Sequence, residues 1–187
     1  MMEDAKIIQL YWDREEEAIP ATSEKYGAYC AAIARNILNN EEDTEECVND
    51  TYFNAWNAMP PERPAILSAF LGRITRNLSF NRYKLLHTKK RGGGEVPLVF
   101  SELGDCVSGK ESVEQEIDRK ELLAEINLFL AGLTKEKRQM FVRRYWYVES
   151  VGAIARRFGV SEGSVTMTLK RVRKQLKEVL VEQGYNL

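Results

Sequence analysis

Between Ser161 and Lys177 the chain places short polar side chains ahead of a run of cations. Ser161, Glu162, Ser164 and Thr168 come first; Lys170, Arg171, Arg173, Lys174 and Lys177 follow. On a helix, the early groups suit hydrogen bonds to base edges and the later cations suit phosphates. A helix N-terminus can itself receive a phosphate. The candidates for nucleic-acid contact here are Ser161, Glu162, Ser164, Val165, Thr168, Lys170, Arg171 and Lys174, although the spacing also turns Val165 inward. Glu162 fits two roles, acceptor for a cytosine amine or first-turn complement to the helix dipole. Taken alone, Lys170-Arg171 reads more plainly as a solvated basic helix.

The residues upstream change that balance. In VGAIARRFGVSEGSVTMTLK, Val151 to Lys170, Ala155 stands where one helix must approach another closely. Gly159 stands where the backbone needs positive φ, Ser161 can cap the second helix, and Val165 and Leu169 face inward. Small residue, glycine turn, cap and inner valine together are a helix-turn-helix signature, whose second helix enters the DNA major groove.

A second group lies in RITRNLSFNRYKLLHTKKR. Arg73, Arg76, Asn77, Asn81, Arg82 and Lys84 alternate with aromatic residues, a pattern that suits single strands, with rings stacking on bases and cations tracking the backbone. Phe80 and Tyr83 read better as core or boundary residues than as stacking platforms.

Covalent chemistry finds no such grouping. His87 is the only histidine and reads as a surface residue. Glu45 and Glu46 are adjacent, so a helix points them apart. Gly92–Gly94 follows no strand and is not a dinucleotide loop. Cys30, Cys47 and Cys106 have no CxxC spacing; Cys30 and Cys47 read as small apolar fillers. No enzyme activity, metal or cofactor is expected.

Charge is distributed in blocks. The net charge of the 187 residues is -1, yet residues 1–62 carry a net -10, residues 63–91 a net +8, residues 92–129 a net -6 and residues 130–187 a net +7. Each basic block can meet phosphates while the acidic blocks avoid them or face a basic protein. No window approaches 18 apolar residues, so a soluble, cytoplasmic chain without membrane insertion is expected.

Helical spacing dominates the elements that must hold these groups. Helices are expected over Asp4–Glu17 and Thr22–Leu38, with Thr22 as a weak cap, and then from Asp43, capped by Asp43 with Glu46 as its capping-box partner, to about Ala58. Met59-Pro60-Pro61-Glu62-Arg63-Pro64 breaks the last of these. A fourth helix runs from about Ile66 to Leu86 with Phe70, Leu71, Ile74, Leu78 and Leu85 inward. Residues 92–112 read as an irregular linker, with Val96–Phe100 extended. Helices follow from Ser112 or Val113 to Ala131, from Thr134 to Tyr147, over Ser150–Phe158 and over Ser161–Gln183, with Phe141, Tyr145, Ile154, Phe158, Val160 and Val165 in a second core. The fold class is therefore all-α: two small helical domains, residues 1–91 and 113–187, joined by a flexible linker, 92–112.

Three stretches together resemble the bacterial RNA polymerase sigma factors, specifically the compact extracytoplasmic-function class. DTEECVNDTYFNAW, Asp43 to Trp56, resembles the family's core-polymerase-binding helix, with Asp43, Glu45, Asp50, Thr51, Ala55 and Trp56 on pattern. FLGRITRNLSFNRYK, Phe70 to Lys84, resembles its promoter-opening helix through Leu71, Ile74, Arg76 and Asn77, with Asn81 in place of aspartate. The C-terminal stretch matches through Leu133, Arg138, Ile154, Ala155, Gly159, Ser161, Gly163, Val165, Leu169, Arg171 and Arg173, while Met167-Thr168 replaces the usual Ser-Arg. The resemblance implies that Asp43, Glu45, Glu46, Asn49, Asp50, Tyr52, Phe53 and Trp56 bind the β′ clamp of the polymerase core. It implies that the Arg73–Lys84 group reads the −10 element as single strand and that the C-terminal domain reads the −35 element. Promoter DNA and the polymerase core are the implied partners, an anti-sigma factor is a further one, and no stable homo-oligomer is expected. The rival readings are an autonomous helix-turn-helix regulator, which binds duplex DNA tightly by itself, and a polymerase-binding inhibitor.

Overall fold

The computed structural model describes residues 2–87, 95–104 and 115–185, and every regular element among them is helical. Contacts divide the chain into two compact units, Met1–Gly92 and Gly93–Leu187. Cys106, the Gly92–Gly94 run and the side chains of His87 and Ile117 lie outside the described residues.

The first unit contains α1 (Asp4–Trp12), α2 (Ala18–Leu38), α3 (Glu41–Ala58) and α4 (Leu67–His87). The first helix stops well short of Glu17, and Arg14 adopts a positive φ of 60° in the turn that follows it. The second helix begins four residues before the expected Thr22. Pro20 does not prevent this, because a first-turn N–H has no intrahelical acceptor to lose. Thr22 is fully buried, with its hydroxyl 2.7 Å from the Ala18 carbonyl and 2.9 Å from the Tyr11 hydroxyl. Asn39 ends α2 in the left-handed region, at φ 50°. Asn40, extended immediately after it, caps α3 by accepting from Asp43 N at 2.9 Å. The cap is thus three residues before the expected Asp43, which joins Glu41 and Glu42 in the first turn, where their charges complement the helix dipole.

Burial of Ile7, Tyr11, Cys30, Ala55, Met59, Leu67 and Leu71 forms the main core of this unit. Gly72 allows a close approach: a Cβ there would fall 2.5 Å from the Tyr29 hydroxyl oxygen. The expected inner stripe of α4 holds for Phe70 and Leu71 and in part for Ile74 and Leu78, but Leu85 is 77% exposed. Thr75 and Ser79 take buried positions on that helix instead.

In the second unit, α5 (Glu95–Gly104) replaces the expected extended segment, and it is followed by α6 (Gln115–Gly132), α7 (Lys135–Tyr145), α8 (Val151–Phe158) and α9 (Glu162–Glu182). Pro97 is tolerated in the first turn of α5, and Val96 and Val99 are buried. Isolated, VPLVF favours extension; burial of one side makes it a helix. Ile154, Ala155, Val165, Leu169, Val172, Leu176 and Leu180 supply the core with Phe141 and Tyr145. Val160 is 38% exposed, contrary to the sequence pattern, and Phe158 is only half-buried. Thr134 stands at the N-cap of α7 without a side-chain capping bond, and α7 ends at Tyr145, two residues early. No helix among the described residues is long and apolar enough to cross a membrane.

Candidate nucleic-acid interface

The turn between α8 and α9 is built as its residues require. Gly159 takes φ 65°, and its N–H donates to the Ala155 carbonyl. Ser150 caps α8 by accepting from Ala153 N, and Ser161 caps α9 by accepting from Ser164 N, both at 3.2 Å. Val165 and Leu169 then face the core, 0% and 1% exposed. Val165 is therefore a correction: its side chain packs behind α9 in the core and has no open surface for DNA. Ser161, Glu162, Ser164, Lys170, Arg171 and Lys174 are exposed, and Thr168 is half-buried. The Glu162 carboxylate leans over α8, since a Cβ on Gly152 would fall 2.9 Å from its Oε1. Lys174 lies 3.7 Å from Glu178.

Arg173 departs from its neighbours and points inward. One guanidinium nitrogen donates to Glu102 Oε2 at 3.2 Å and to the Tyr145 hydroxyl. Glu102 also receives Arg144 through two nitrogens, at 2.8 and 3.3 Å, and the Tyr145 hydroxyl at 2.8 Å. Arg144, 1% exposed, donates further to the Glu149 carbonyl at 3.0 Å. Burial pushes the Glu102 carboxyl upward, but bonds from Arg144 and Tyr145 and the two arginine charges outweigh it and hold the group below its ordinary range. Burial and the neighbouring carboxylate push the Tyr145 hydroxyl well up, so it stays protonated. Sequence reasoning missed this hub because Arg143-Arg144 reads as a surface pair and Glu102 lies 42 residues away. The lone acid in VPLVFSEL was the only local signal.

The first unit carries the second cationic group. Arg73, Asn77, Asn81 and Lys84 succeed one another at intervals of four, four and three and are exposed on one side of α4. Arg73 lies over the Phe70 ring at 5.5 Å and pairs with Glu62 at 3.2 Å. Arg76 lies over the Phe80 ring at 4.5 Å, and burial lowers its pKa. Phe80 is buried, and Tyr83 packs on Ala34, Leu38 and Cys47, so both rings serve the core. Arg82 turns to α3, where it meets Asp43 and Glu46, each at 2.6 Å. A shallow depression of about 480 Å³ lies at the start of α4, lined by Glu62, Arg63, Ile66, Phe70 and Arg73.

On α3, Glu45, Glu46, Asn49, Asp50 and Phe53 are exposed, Phe53 to 64%. Asp43 is half-buried. Tyr52 is a second correction, since its ring is 6% exposed and faces the core. Trp56 is half-buried, edge-on to Tyr11 at 6.1 Å with the Arg14 guanidinium 5.2 Å above it. Among the described residues, no cluster of histidine, cysteine or acidic side chains could hold a metal.

The sequence matches the family model for Sigma-70 region 2 over residues 23–86 and that for Sigma-70, region 4 over residues 123–176. The chain belongs to the sigma-70 family, in its extracytoplasmic-function class. It is a sigma factor, a DNA-binding protein of transcription initiation. It is 28% identical over 160 residues to the RNA polymerase sigma factor CnrH of Cupriavidus metallidurans, a match covering 83% of each chain. A solved structure of CnrH in complex with the cytosolic domain of CnrY is 22% identical, covers 96% of this chain and 97% of that one, and superposes loosely, with a TM-score of 0.42. Region 2 of this sigma factor falls within the first unit and region 4 within the second; α5, which carries Glu102, lies outside both matches.

Proposed function

We propose that this sigma factor binds RNA polymerase core through the outer face of α3, reads a −10 element with α4 and a −35 element with α9, and aids strand opening. The observation that carries the reading is the pair of exposed faces that mix cations with neutral polar groups, amides on α4 and hydroxyls on α9, one in each unit of a chain that also presents an acidic helix. Glu45, Asn49, Asp50 and Phe53 form the polymerase face toward the β′ clamp, with Phe53 as its apolar anchor. Arg73, Asn77, Asn81 and Lys84 meet the opened strand. Ser164, Thr168, Lys170, Arg171 and Lys174 meet the duplex, Glu162 stands beside them, and Met167-Thr168 alters the sequence preference there. The protein acts in the cytoplasm, performs no covalent chemistry and leaves after initiation. An anti-sigma protein covering these faces is a further partner consistent with the family; the solved CnrH relative is one found with the cytosolic domain of CnrY.

DNA affinity without polymerase is expected to be low, because each unit offers few phosphate contacts. The test is transcription by core polymerase, with and without the protein, on promoters selected from a random library. Stimulation at a defined sequence class is the expected result. No stimulation at any promoter together with no core binding overturns the reading, tight unaided duplex binding supports the autonomous regulator, and inhibition supports a polymerase-binding inhibitor. Phe53→Ala should weaken core binding about tenfold, as loss of an exposed aromatic anchor does, while the melting temperature stays unchanged.

A further inference from the structure

Helices α3 and α4 meet along a seam whose contacts advance one turn at a time. Thr51 Oγ1 lies 3.1 Å from Thr75 Oγ1. One turn on, Cys47 Sγ lies 3.1 Å from Ser79 Oγ. One turn further, Arg82 Nε donates to Asp43 Oδ1 at 2.6 Å, and its Nη2 lies 2.6 Å from that oxygen and 2.6 Å from Glu46 Oε2. The helices run antiparallel, and Arg82 forms the last of three polar rungs. Its fork is divided between two carboxylates, and the Asp43 side chain is only 16% exposed. A phosphate would have to displace both. Hydrogen bonding to Glu46 raises the arginine pKa; burial opposes this, and the bond to Asp43 adds to it, so the cation is held firmly.

On the sigma reading of these two faces, we propose that Arg82 is a positioning residue that locks the nucleic-acid face of α4 to the acidic face of α3 and does not itself touch DNA. Asn81 and Lys84 flank Arg82 on the last turns of α4, beyond the buried hydroxyl rungs. Without the terminal rung that end of α4 keeps its local hydrogen bonds but loses its tie to α3. Polymerase bound on α3 then no longer fixes where Asn81 and Lys84 are offered to the opened strand.

The test compares Arg82→Ala, Arg82→Lys, the pair Asp43→Asn with Glu46→Gln, and the triple variant, each as full chain assembled with core polymerase. Arg82→Ala should reduce binding to a promoter fragment with an unpaired −10 segment by about three- to tenfold, the size of coupling expected of residues in contact. Arg82→Lys should restore most of the loss. In the Asp43→Asn/Glu46→Gln background, Arg82→Ala should change binding by less than about twofold, because its partners are already gone. The slope of log affinity against log salt should be the same with and without Arg82. A slope lowered by about 0.7, the value of one single-strand phosphate contact, or an undiminished loss in that background, overturns the proposal. Thermal melting of the same four variants, without polymerase, measures the Arg82–carboxylate coupling separately. If melting is coupled but no variant or parent binds core, the sigma reading has failed and the rung stands; if melting is additive, the rung itself has failed. Where Arg82→Ala does not fold, Arg82→Gln replaces it in every arm.

Discussion

The α3–α4 seam and the Glu102 hub solve the same problem, polar groups between helices, with opposite chemistry. Inside the seam the groups are neutral and largely self-sufficient. Thr75 donates to the Leu71 carbonyl at 2.9 Å and Ser79 to the Thr75 carbonyl at 2.7 Å, each one turn back on its own helix. Charge appears only at the open end, with Arg82. In the hub the charge lies inside: Arg144 is 1% exposed, and its carboxylate comes from α5. A hydroxyl satisfied by its own helix tolerates loss of its cross-helix partner. A buried guanidinium does not, because the uncompensated charge remains. The hub therefore ties region 4 of this protein to a helix outside the matched family region, whereas the seam joins two helices that both lie in region 2.

The most severe break should come from Glu102→Ala. Arg144 would be left buried without a carboxylate, at a cost of about 3 kcal/mol. The C-terminal unit should unfold at lower denaturant, read by Trp146 fluorescence in a chain whose other two tryptophans are replaced by phenylalanine; an unchanged midpoint would mean that α5 is not part of that unit's fold. Thr75→Val should cost about 1 kcal/mol, the net worth of one hydrogen bond. Adding Thr51→Val should cost about as much again, since each hydroxyl has a bond to its own helix, Thr51 to the Cys47 carbonyl at 2.8 Å; a double variant no worse than the single one in urea melts would contradict the seam's self-sufficiency. Replacing both hub partners, Glu102→Leu with Arg144→Met, should lie within about 1 kcal/mol of the parent, as apolar replacement of buried pairs often does. A loss as large as that of Glu102→Ala would show that Arg173 and Tyr145 need the carboxylate equally.

The smallest effect is in pH. The Glu102 carboxyl is held below its ordinary value in the folded chain, so its contribution is present above that value and is lost as pH falls through the folded one. The stability gap between parent and Glu102→Gln should be constant above about pH 5 and narrow below about pH 4. The Thr75→Val gap should stay flat over the same range, because no rung near it titrates there. A Glu102→Gln gap that widens in acid would reverse the sign assigned to the hub.

Particular residues show where sequence reading ran out. Gly159 and Ser161 were legible because a left-handed turn and a helix cap are local demands, met by the residue at that position. Asn40 was not, because Asp43 is as good a cap by type, and the decision came from Asn39 turning left-handed immediately before. Tyr52 and Val165 carry the right chemistry within recognition motifs, yet the helix phase turns them to the core. Arg173 matches the family pattern as a basic residue, and only the approach of α5 shows that it faces Glu102.

The all-helical class, the two basic blocks, the helix-turn-helix and the sigma-70 character followed from the sequence by itself. Periodicity, capping and turn chemistry act over a few residues, and charge is additive along a chain. Which cations remain open to nucleic acid was decided only in the tertiary structure. Lys84 is exposed, and Arg73 stays exposed although it pairs with Glu62, while Arg82, Arg144 and Arg173 are each held, half-buried or buried, by carboxylates distant in sequence. A guanidinium binds whichever anion the fold brings within about 3 Å, and that proximity is a property of packed helices, not of spacing along the chain.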